Sequence, residues 1–457
     1  MTDEPLMPPG DLTSRLPSPW RGLATGVCET LASAGFQGWI VGGAVRDLLL
    51  GRTIKDVDLV SAALPEVVEG LFDRTVAVGK SFGIIVVVLD GVEVEVATFR
   101  RERGYSDRRR PDEVEYASSP EEDAGRRDFT CNAIYLDPLT GEVRDPVGGV
   151  ADLRGGILRA VGDAGGRFRE DGLRILRMAR FVSTFGLEPA PGLLAAAELE
   201  GESLEGVSAE RVRDELLKTM GGGRPFRALE LLVEGGHASR CLPSMGSEVE
   251  VRARLEALRR VEASFGDRAP GSWGARDAGL WEVGLAVLFG PATWPMAGDS
   301  LEECLSVLSD RLTELRCSRE ERREVAEVCV GCAGLLEAAS TLDGGAELGD
   351  PEVRGGLVQL WRLPARPAAA VLARAWTEVA GQGAALARLR DALAELESLD
   401  ASAPQLPVML TAGDLQDLGV PRGPELGRLL HRVQRASLGG GFTDRDGALA
   451  WARRQVR

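Results

Sequence analysis

The sequence contains very little histidine and very little lysine. Its histidines are His237 and His431, and its lysines are Lys55, Lys80 and Lys218. Two isolated histidines exclude a multi-histidine zinc site and a histidine-rich hydrolase site. The positive charge of this chain is therefore carried almost entirely by arginine, whose planar guanidinium donates two parallel hydrogen bonds to an anion.

Long apolar runs are also missing. The sequence is 44% hydrophobic without an uninterrupted run of membrane length, and its N-terminus lacks the layout of a signal peptide. The seven cysteines are scattered and odd in number, which is typical of reduced thiols. Because Cys329 and Cys332 form a single pair without a second one, we expect buried thiols there. We predict a cytoplasmic protein without membrane contact.

The net charge of −16 argues against indiscriminate binding to nucleic acid. Arginines nevertheless cluster, with six between Arg100 and Arg110 and further groups at residues 154–180 and 422–457. Basic islands on an acidic background favour a defined track for one RNA. For the C-terminal island, a solvated charged face is an equal alternative.

Residues 38–60 contain the pattern around which the chain is organised. Trp39-Ile40-Val41 predicts a strand, Gly42-Gly43 a turn, and residues 44–50 a short helix. A second strand should open at Asp56, so that Asp56 and Asp58 share one face while the alternating residues face the core. Two adjacent carboxylates suit Mg²⁺, which retains water and shares substrate phosphates. We expect Gly43 and Arg46 to meet a triphosphate.

A second informative segment is residues 169–181, predicted as an amphipathic helix with Glu170 and Asp171 at its N-terminus. Asp171 and Arg174 are three residues apart and therefore share a face. A carboxylate beside a guanidinium can pair with the Watson–Crick edge of C or A, and repels the oxygen that G or U presents there. The alternative is a capping acid with an ordinary ion pair to Arg174.

These blocks, together with Gly125-Arg-Arg-Asp-Phe-Thr-Cys-Asn-Ala-Ile, resemble nucleotidyltransferases of the DNA polymerase β superfamily. The resemblance is greatest to the tRNA nucleotidyltransferase/poly(A) polymerase family, whose bacterial and eukaryotic members build the 3′-terminal CCA. It implies catalytic acids Asp56 and Asp58 holding two Mg²⁺ ions, with Mn²⁺ as an alternative. The nucleotide-binding residues that it implies are Gly43, Arg46, Arg127, Asp171, Arg174, Arg177 and Arg180.

The same resemblance gives further expectations. Neighbouring strands in this superfamily supply a third acid, for which Glu95 is the candidate, and Asn132 should lie in the site. Residues 98–111 have no apolar period, so we predict a mobile surface loop. It is similar to the flexible loop of CCA-adding enzymes, which favours full CCA addition over CC addition. We expect Asp128 to hold Arg126 or Arg127.

Residues 206–218 are similar to the last shared motif, which we interpret as scaffolding with Ser208 as a helix N-cap. The segment from Leu410 to Leu430 resembles the tail of CCA-adding enzymes and suits the tRNA elbow. The acids at 137, 145 and 152 are expected to be structural.

The predicted fold is α+β, with a small polymerase-β-like nucleotidyltransferase head built on a mixed sheet and an all-helical neck, body and tail. We expect a loose extension over 1–22, the head over 23–160, a nucleotide-selecting neck over 161–230, a body over 231–345 and a tRNA-binding tail over 346–457.

The predicted function is template-independent addition of C, C and A to tRNA from CTP and ATP. The partners would be the tRNA 3′ end and elbow. An A-adding or poly(A)-forming enzyme would use the same residues and is the alternative. A catalytically silent RNA-binding protein would not need the intact acids, and an antibiotic-modifying nucleotidyltransferase would not need the tail.

Overall fold

A computed structural model describes most of the chain, which divides into two compact units: one holds Met1–Leu242 and the other most of the residues from 243 onward. The described residues are 12–79, 83–89, 91–105, 111–242, 250–252, 254–256, 258–259, 285–287, 289, 301–343, 350–351, 387, 410–438 and 440–456.

Seven strands form the main sheet of the first unit within its described residues. They are β1 Gly38–Val41, β2 Asp58–Ser61, β3 Thr75–Gly79, β4 Ile84–Leu89, β5 Val92–Thr98, β8 Tyr135–Leu136 and β9 Val143–Arg144. Their order is β3-β4-β5-β2-β1-β8-β9. Because β2 and β5 are parallel while the other neighbours are antiparallel, the sheet is mixed, as predicted.

Alternating burial explains the central strands. In β5, Val94 and Val96 are buried while Glu93 and Glu95 are exposed, and the predicted hairpin with β4 is confirmed. The same alternation precedes β2, where Val57 is buried and Asp56 is exposed. The regular strand begins at Asp58, two residues later than the sequence predicted.

Three helices precede or separate the first strands along the chain: α1 Trp20–Ser33, α2 Gly43–Leu49 and α3 Pro65–Leu71. The sequence predicts helices at 22–34, 44–50 and 65–72, and all three are confirmed. Upstream of α1, residues 1–11 lie outside the described part of the chain, whereas Leu12 and Leu16 are buried.

The segment 98–111 was predicted as a loop, and this is wrong for part of it. β6 Arg100–Arg103 pairs with β7 Glu113–Tyr116 as an antiparallel ribbon, while residues 106–110 lie outside the described residues. The β6–β7 ribbon has no apolar face, and opposite charges on its side chains support the strand pairing instead. Arg101 lies opposite Glu115 across the ribbon, and Arg101 also pairs with Glu122 of α4, Pro120–Ala124.

The rest of the first unit is mainly helical. Its elements are α5 Gly149–Arg154, β10 Ile157–Leu158, α6 Ala164–Glu170, α7 Leu173–Phe185, β11 Glu188–Pro189, α8 Leu193–Leu199, α9 Ala209–Met220, α10 Pro225–Glu234 and α11 Ala238–Cys241. The predicted cap Ser208 precedes α9. Helix α7 packs on α9 and α10, and its apolar residues Leu176 and Phe181 are buried.

The region around Asp171 differs from the predicted single helix. Helix α6 ends at Glu170, Asp171 is extended, and α7 begins at Leu173. Gly172 explains the close packing at this break, since a Cβ there would lie 2.2 Å from the carbonyl oxygen of Ser203. Glu170 therefore ends one helix, while Asp171 precedes the next.

The second unit is helical where it is described: α12 Leu301–Glu314, α13 Arg319–Asp343, α14 Ala412–Asp417, α15 Pro424–Leu438 and α16 Arg445–Gln455. Leu415, Val433 and Ala448 belong to a core shared by the last three helices. The sequence also predicts helices at 368–379 and 384–396 from their apolar period, and these residues, except 387, lie outside the described part of the chain.

All seven cysteines are free, and Cys329 and Cys332 are buried in α13. Among the helices that the structure describes, none has the length and apolar character needed to cross a bilayer.

Candidate active site

Two exposed carboxylates lie at the start of β2, and a third lies on the neighbouring strand. Asp58 is paired in register with Glu95, and Asp56 precedes it by two residues on the same face. Burial raises the pKa of Asp58 to about 6, and the negative charges of Glu95 and Asp56 act in the same direction. The three acids thus produce a local excess of negative charge.

This donor chemistry fits a divalent cation. Carboxylate oxygens are the ligands that hard cations prefer, and a cation would remove the repulsion around Asp58. Within the described residues, no group of three or more histidine, cysteine or acidic side chains is arranged to enclose a metal. The carboxylates of Asp56 and Asp58 leave room in the shell of a cation such as Mg²⁺ for water and substrate phosphates.

Arg127 connects this acidic edge with the adjoining cavity. Its Nε and Nη2 donate to one oxygen of buried Asp123 at 3.0 and 2.8 Å, and its Nε also reaches the hydroxyl of Tyr135 at 3.1 Å. Arg127 is close enough to Asp58 to favour the ionised form of that carboxyl. The prediction that Asp128 holds Arg126 or Arg127 is wrong, since Asp123 holds both of these arginines.

A cavity of about 530 Å³ opens beside Arg127. Its lining includes the predicted Asp171, Arg174 and Arg177. The remaining lining residues are Arg100, Glu102, Tyr105, Pro111, Arg126, Asp128, Leu173 and Arg211. The space is large enough for a nucleotide and is lined mainly by guanidinium and carboxylate groups.

Asp171 is held from the facing helix. Arg211 of α9 donates to both of its oxygens, at 3.2 and 2.7 Å, and the backbone N–H of Leu173 donates to Oδ1 at 3.1 Å. The sequence also allowed an ordinary ion pair between Asp171 and Arg174, but the structure does not contain this pair.

Arg174 is held separately. Its Nη1 donates to Glu170 at 2.5 Å and to the carbonyl of Arg167 at 3.0 Å, while Nη2 donates to the carbonyl of Arg126 at 3.3 Å. Asp171 and Arg174 therefore line one cavity with their side chains fixed by different partners, which is the preorganisation that recognition of a planar base needs.

Arg177 and Arg180 differ in environment. Arg177 lines the cavity and donates to Asp128 from Nε at 2.7 Å. Arg180 instead pairs with buried Glu215 of α9 and packs over the ring of Phe181, and it is not among the described residues that line the cavity.

Gly43 and Arg46, predicted to meet the triphosphate, begin α2 after Gly42, whose φ of 76° permits the sharp turn. Arg46 is 8% exposed and bonds to Asp47 and Asn132. Asn132, expected in the site, is likewise buried.

Sequence reasoning did not identify Arg211, Asp123, Glu102 or Tyr105 as parts of this site. A signal existed for Arg211, because it lies within residues 206–218, the segment similar to the last shared motif. It is also four residues before Glu215, so the two side chains share one face of a helix. Glu102 and Tyr105 carried no comparable signal, since they fall within the segment expected to be a loop.

The acids expected to be structural have structural partners. Asp145 accepts from the backbone N–H groups of Gly149 and Val150 at 2.7 and 3.0 Å. Asp152 accepts from the Thr130 hydroxyl at 2.8 Å, and Asp137 accepts from Leu139 N–H at 2.8 Å.

Two segments of the chain match known protein domains. Residues 38–159 match the Poly A polymerase head domain, and residues 186–247 match the domain described as a probable RNA and SrmB-binding site of polymerase A. A CCA-adding enzyme of Geobacillus stearothermophilus is 45% identical over 237 residues, covering 52% of this chain and 58% of the relative. One of Bacillus pumilus is 44% identical over 207 residues, covering 45% and 52%. The chain thus matches somewhat more than half the length of these relatives.

Solved structures extend the similarity. The crystal structure of Bacillus stearothermophilus CCA-adding enzyme in complex with CTP has a TM-score of 0.66 at 29% identity, over 95% of this chain and 97% of that one. The Thermotoga maritima CCA-adding enzyme complexed with tRNA_CCA has a TM-score of 0.62 at 21% identity, over 99% and 100%, and shows the shared fold. The head and the helical remainder of this chain are thus similar to those of CCA-adding enzymes, and its residues 38–159 match the Poly A polymerase head domain.

Proposed function

We propose that the chain adds C, C and A to the 3′ end of tRNA, using CTP and ATP without a nucleic-acid template. One observation carries the proposal: Asp171 and Arg174 line the same cavity as Arg127, and the charge of Arg127 acts on Asp58 of the carboxylate edge. A base-recognising pair thereby adjoins a phosphoryl-transfer site. The CTP complex of the Bacillus stearothermophilus relative supports CTP as one substrate.

Base selection would follow from hydrogen-bond complementarity. Arg174 would donate to O2 and N3 of cytosine, and Asp171 would accept from the exocyclic amine that both cytosine and adenine carry. Uracil and guanine present an oxygen at that position, and the carboxylate would repel it. Because Arg211 fixes the orientation of the Asp171 carboxylate, we expect the preference to be set before the nucleotide enters.

The chemical step requires a cation at Asp56 and Asp58, and Mg²⁺ is the ion we assign. When bound, it would lower the pKa of the terminal ribose hydroxyl and stabilise charge on the triphosphate and departing pyrophosphate. The chain's own contribution is orientation: Arg127 is fixed by Asp123 beside the acids, where it would neutralise phosphate charge. No covalent enzyme intermediate is needed.

The tail would bind the body of the tRNA. Arg422, Arg428 and Arg432 lie on the exposed side of α15 or just before it, opposite the buried Leu429 and Val433. Guanidinium groups on a rigid helix can contact phosphates without reading sequence. We assign this surface to the tRNA elbow and the whole reaction to the cytoplasm.

An A-adding enzyme would use the same carboxylates and cavity. The curated relatives quoted above carry the CCA-adding name, and so we place full CCA addition first.

The test uses tRNA transcripts that end before CCA, after CC, or with complete CCA. Each is offered CTP, ATP or both with Mg²⁺, and the 3′ end is sequenced. We expect CMP incorporation on the first transcript, AMP incorporation on the second and neither on the third. Asp56→Asn should abolish addition with unchanged folding by circular dichroism. AMP addition on the second transcript without CMP addition on the first would establish the A-adding alternative.

A further inference from the structure

Arg46 is enclosed in a way that leaves few donors for a triphosphate. Nη1 donates to Oδ1 of Asn132 at 2.7 Å, and Nε donates to Asp47 at 2.9 Å, while Nη2 lies 2.9 Å from the same carboxylate oxygen. The guanidinium carbon lies 4.1 Å from the ring centroid of Phe185, and the residue is 8% exposed. These partners engage Nε, Nη1 and Nη2 and cover one face of the guanidinium.

A series of buried and partly buried hydrogen bonds leads from Arg46 to the nucleotide cavity. Nδ2 of Asn132 donates to Oδ1 of Asp128 at 2.9 Å, and Oδ2 of Asp128 accepts from Nε of Arg177 at 2.7 Å. The orientation of the Asn132 amide is determined by its partners, because a guanidinium lies on one side and a carboxylate on the other. The hydrogen bonds from Arg46 by way of Asn132 and from Arg177 therefore converge on the carboxylate of Asp128.

Asp128 is kept ionised at the centre of the series. Burial would raise its pKa, but Arg177 and the hydrogen bonds from Asn132 and from the Phe129 N–H outweigh burial and hold the pKa well below its usual range. An ionised Asp128 fixes the direction of every hydrogen bond in the series.

Arg46 contacts α7 at a second point. Phe185, on which it stacks, is the last residue of that helix, and Arg177 projects from the same helix into the cavity. Arg46 therefore contacts the end of α7 directly, through Phe185. Through Asn132 and Asp128 it is also connected to Arg177, the arginine of α7 that lines the cavity.

We propose that Arg46 is a positioning residue, which acts through Asn132 and Asp128 to orient Arg177 in the nucleotide cavity and does not itself bind the triphosphate. The proposal rests on the proposed function only for the identity of the nucleotide. It assigns Asn132 the same role, as the connection between the two charged residues.

The test is a binding cycle on the full chain, measured by isothermal titration calorimetry with CTP and Mg²⁺. The variants are Arg46→Lys, Asn132→Ala, Arg177→Gln and the double variant Arg46→Lys/Arg177→Gln. Lysine keeps the charge of Arg46 but cannot bond Asp47 and Asn132 together. We expect Arg46→Lys and Asn132→Ala each to weaken CTP binding about ten-fold, the usual cost of one charge-assisted hydrogen bond.

The double variant decides the question. If Arg46 acts through Arg177, the double variant should bind CTP within two-fold of Arg177→Gln alone. Losses that multiply would overturn the proposal, as would Arg46→Lys binding like wild type. The affinity of the protein for inorganic tripolyphosphate provides a second readout. Arg46→Lys should weaken tripolyphosphate binding no more than Arg177→Gln does. A larger loss would indicate that Arg46 contacts the triphosphate directly.

The matched control is Arg52→Lys. Arg52 carries the same charge, lies 5.0 Å from the ring centroid of Phe185, and donates to the carbonyl of Thr184 at 3.1 Å. We expect CTP affinity within two-fold of wild type. If Arg46→Lys does not fold, Asn132→Ala and its double variant with Arg177→Gln take its place. Equal affinity of the wild-type protein for CTP and UTP would contradict the proposed function. It would not contradict the positioning role of Arg46, because the binding cycle is measured with CTP only.

Discussion

Asp58 and Glu95 lie directly opposite each other on the parallel strands β2 and β5, with both side chains on the exposed face of the sheet. Two adjacent carboxylates repel, and Glu95 contributes to the raised pKa of Asp58. A protein retains such repulsion at a cost in stability, which a bound cation would offset. Glu95 therefore belongs with the catalytic acids in any test of the site.

The first prediction concerns Glu95. Replacing it by glutamine removes one negative charge next to Asp58 and should lower kcat about 10²-fold, while Asp58→Asn should lower it further. Single-turnover CMP incorporation measures both. Glu93→Gln is the control, because Glu93 is exposed on the same face of β5, two residues earlier. Equal effects of Glu93→Gln and Glu95→Gln would show that general surface charge, and not the site, is responsible.

The second prediction concerns Arg211, which holds Asp171 with two hydrogen bonds. In Arg211→Ala, Asp171 keeps the hydrogen bond from the Leu173 N–H but loses both bonds from Arg211, so we expect the ratio of kcat/KM for CTP over UTP to fall about ten-fold. Arg213→Ala, two residues along α9 and paired with Asp214, should leave the ratio unchanged. A lower kcat/KM with an unaltered ratio would assign Arg211 to stability and not to selection.

Much of the head could be predicted because its signals are local. Alternating valine and glutamate in β5, and the exposed aspartates around buried Val57, need only the two-residue period of a strand. The β6–β7 ribbon was missed because its strands are supported by cross-strand charges and have no apolar face. The break at Asp171 was missed because Gly172 is required by packing against Ser203, a contact that sequence cannot show.

The site residues were identifiable one at a time, but their pairings were not. Asp128 was expected beside Arg127, its neighbour in sequence, yet it pairs with Arg177, which lies 49 residues later. Arg127 pairs instead with Asp123. Long-range partners depend on how α7 packs against the head, and the charge pattern of one segment contains no information on that packing.

The third prediction is a stability change at Asp123. This fully buried carboxylate accepts from Arg126, Arg127 and the Tyr135 hydroxyl. Asp123→Asn leaves two guanidiniums without their shared anion, and we expect it to lower the free energy of unfolding by about 3–5 kcal/mol. Urea denaturation followed by circular dichroism measures this. Glu121→Gln, on the exposed side of the same helix, should change it by less than about 0.5 kcal/mol.

The fourth prediction concerns pH and Asp128. Despite its burial, Arg177 and the hydrogen bonds from Asn132 and Phe129 N–H hold the pKa of Asp128 below its ordinary value of 3.8. A carboxyl whose pKa is lower in the folded state stabilises the fold above its unfolded pKa, and this contribution declines as the pH falls below that value. Unfolding free energies measured in urea from pH 7 to pH 3 should decline at the acid end, and less steeply in Asp128→Asn. An equal slope in both proteins would contradict the assignment.

The last prediction separates tRNA binding from nucleotide binding. Arg422 and Arg428 are exposed beside and on α15, and we expect each to contact one phosphate. In Arg422→Gln/Arg428→Gln the Kd for tRNA should rise. The slope of log K against log salt should fall by roughly 1.5 to 2, because fewer counterions are released, while CTP affinity stays unchanged. Arg21→Gln/Arg74→Gln removes the same charge from exposed positions of the first unit and is the control. If both double variants lose tRNA affinity equally, net charge and not the α15 surface determines binding, and the tail loses its proposed role.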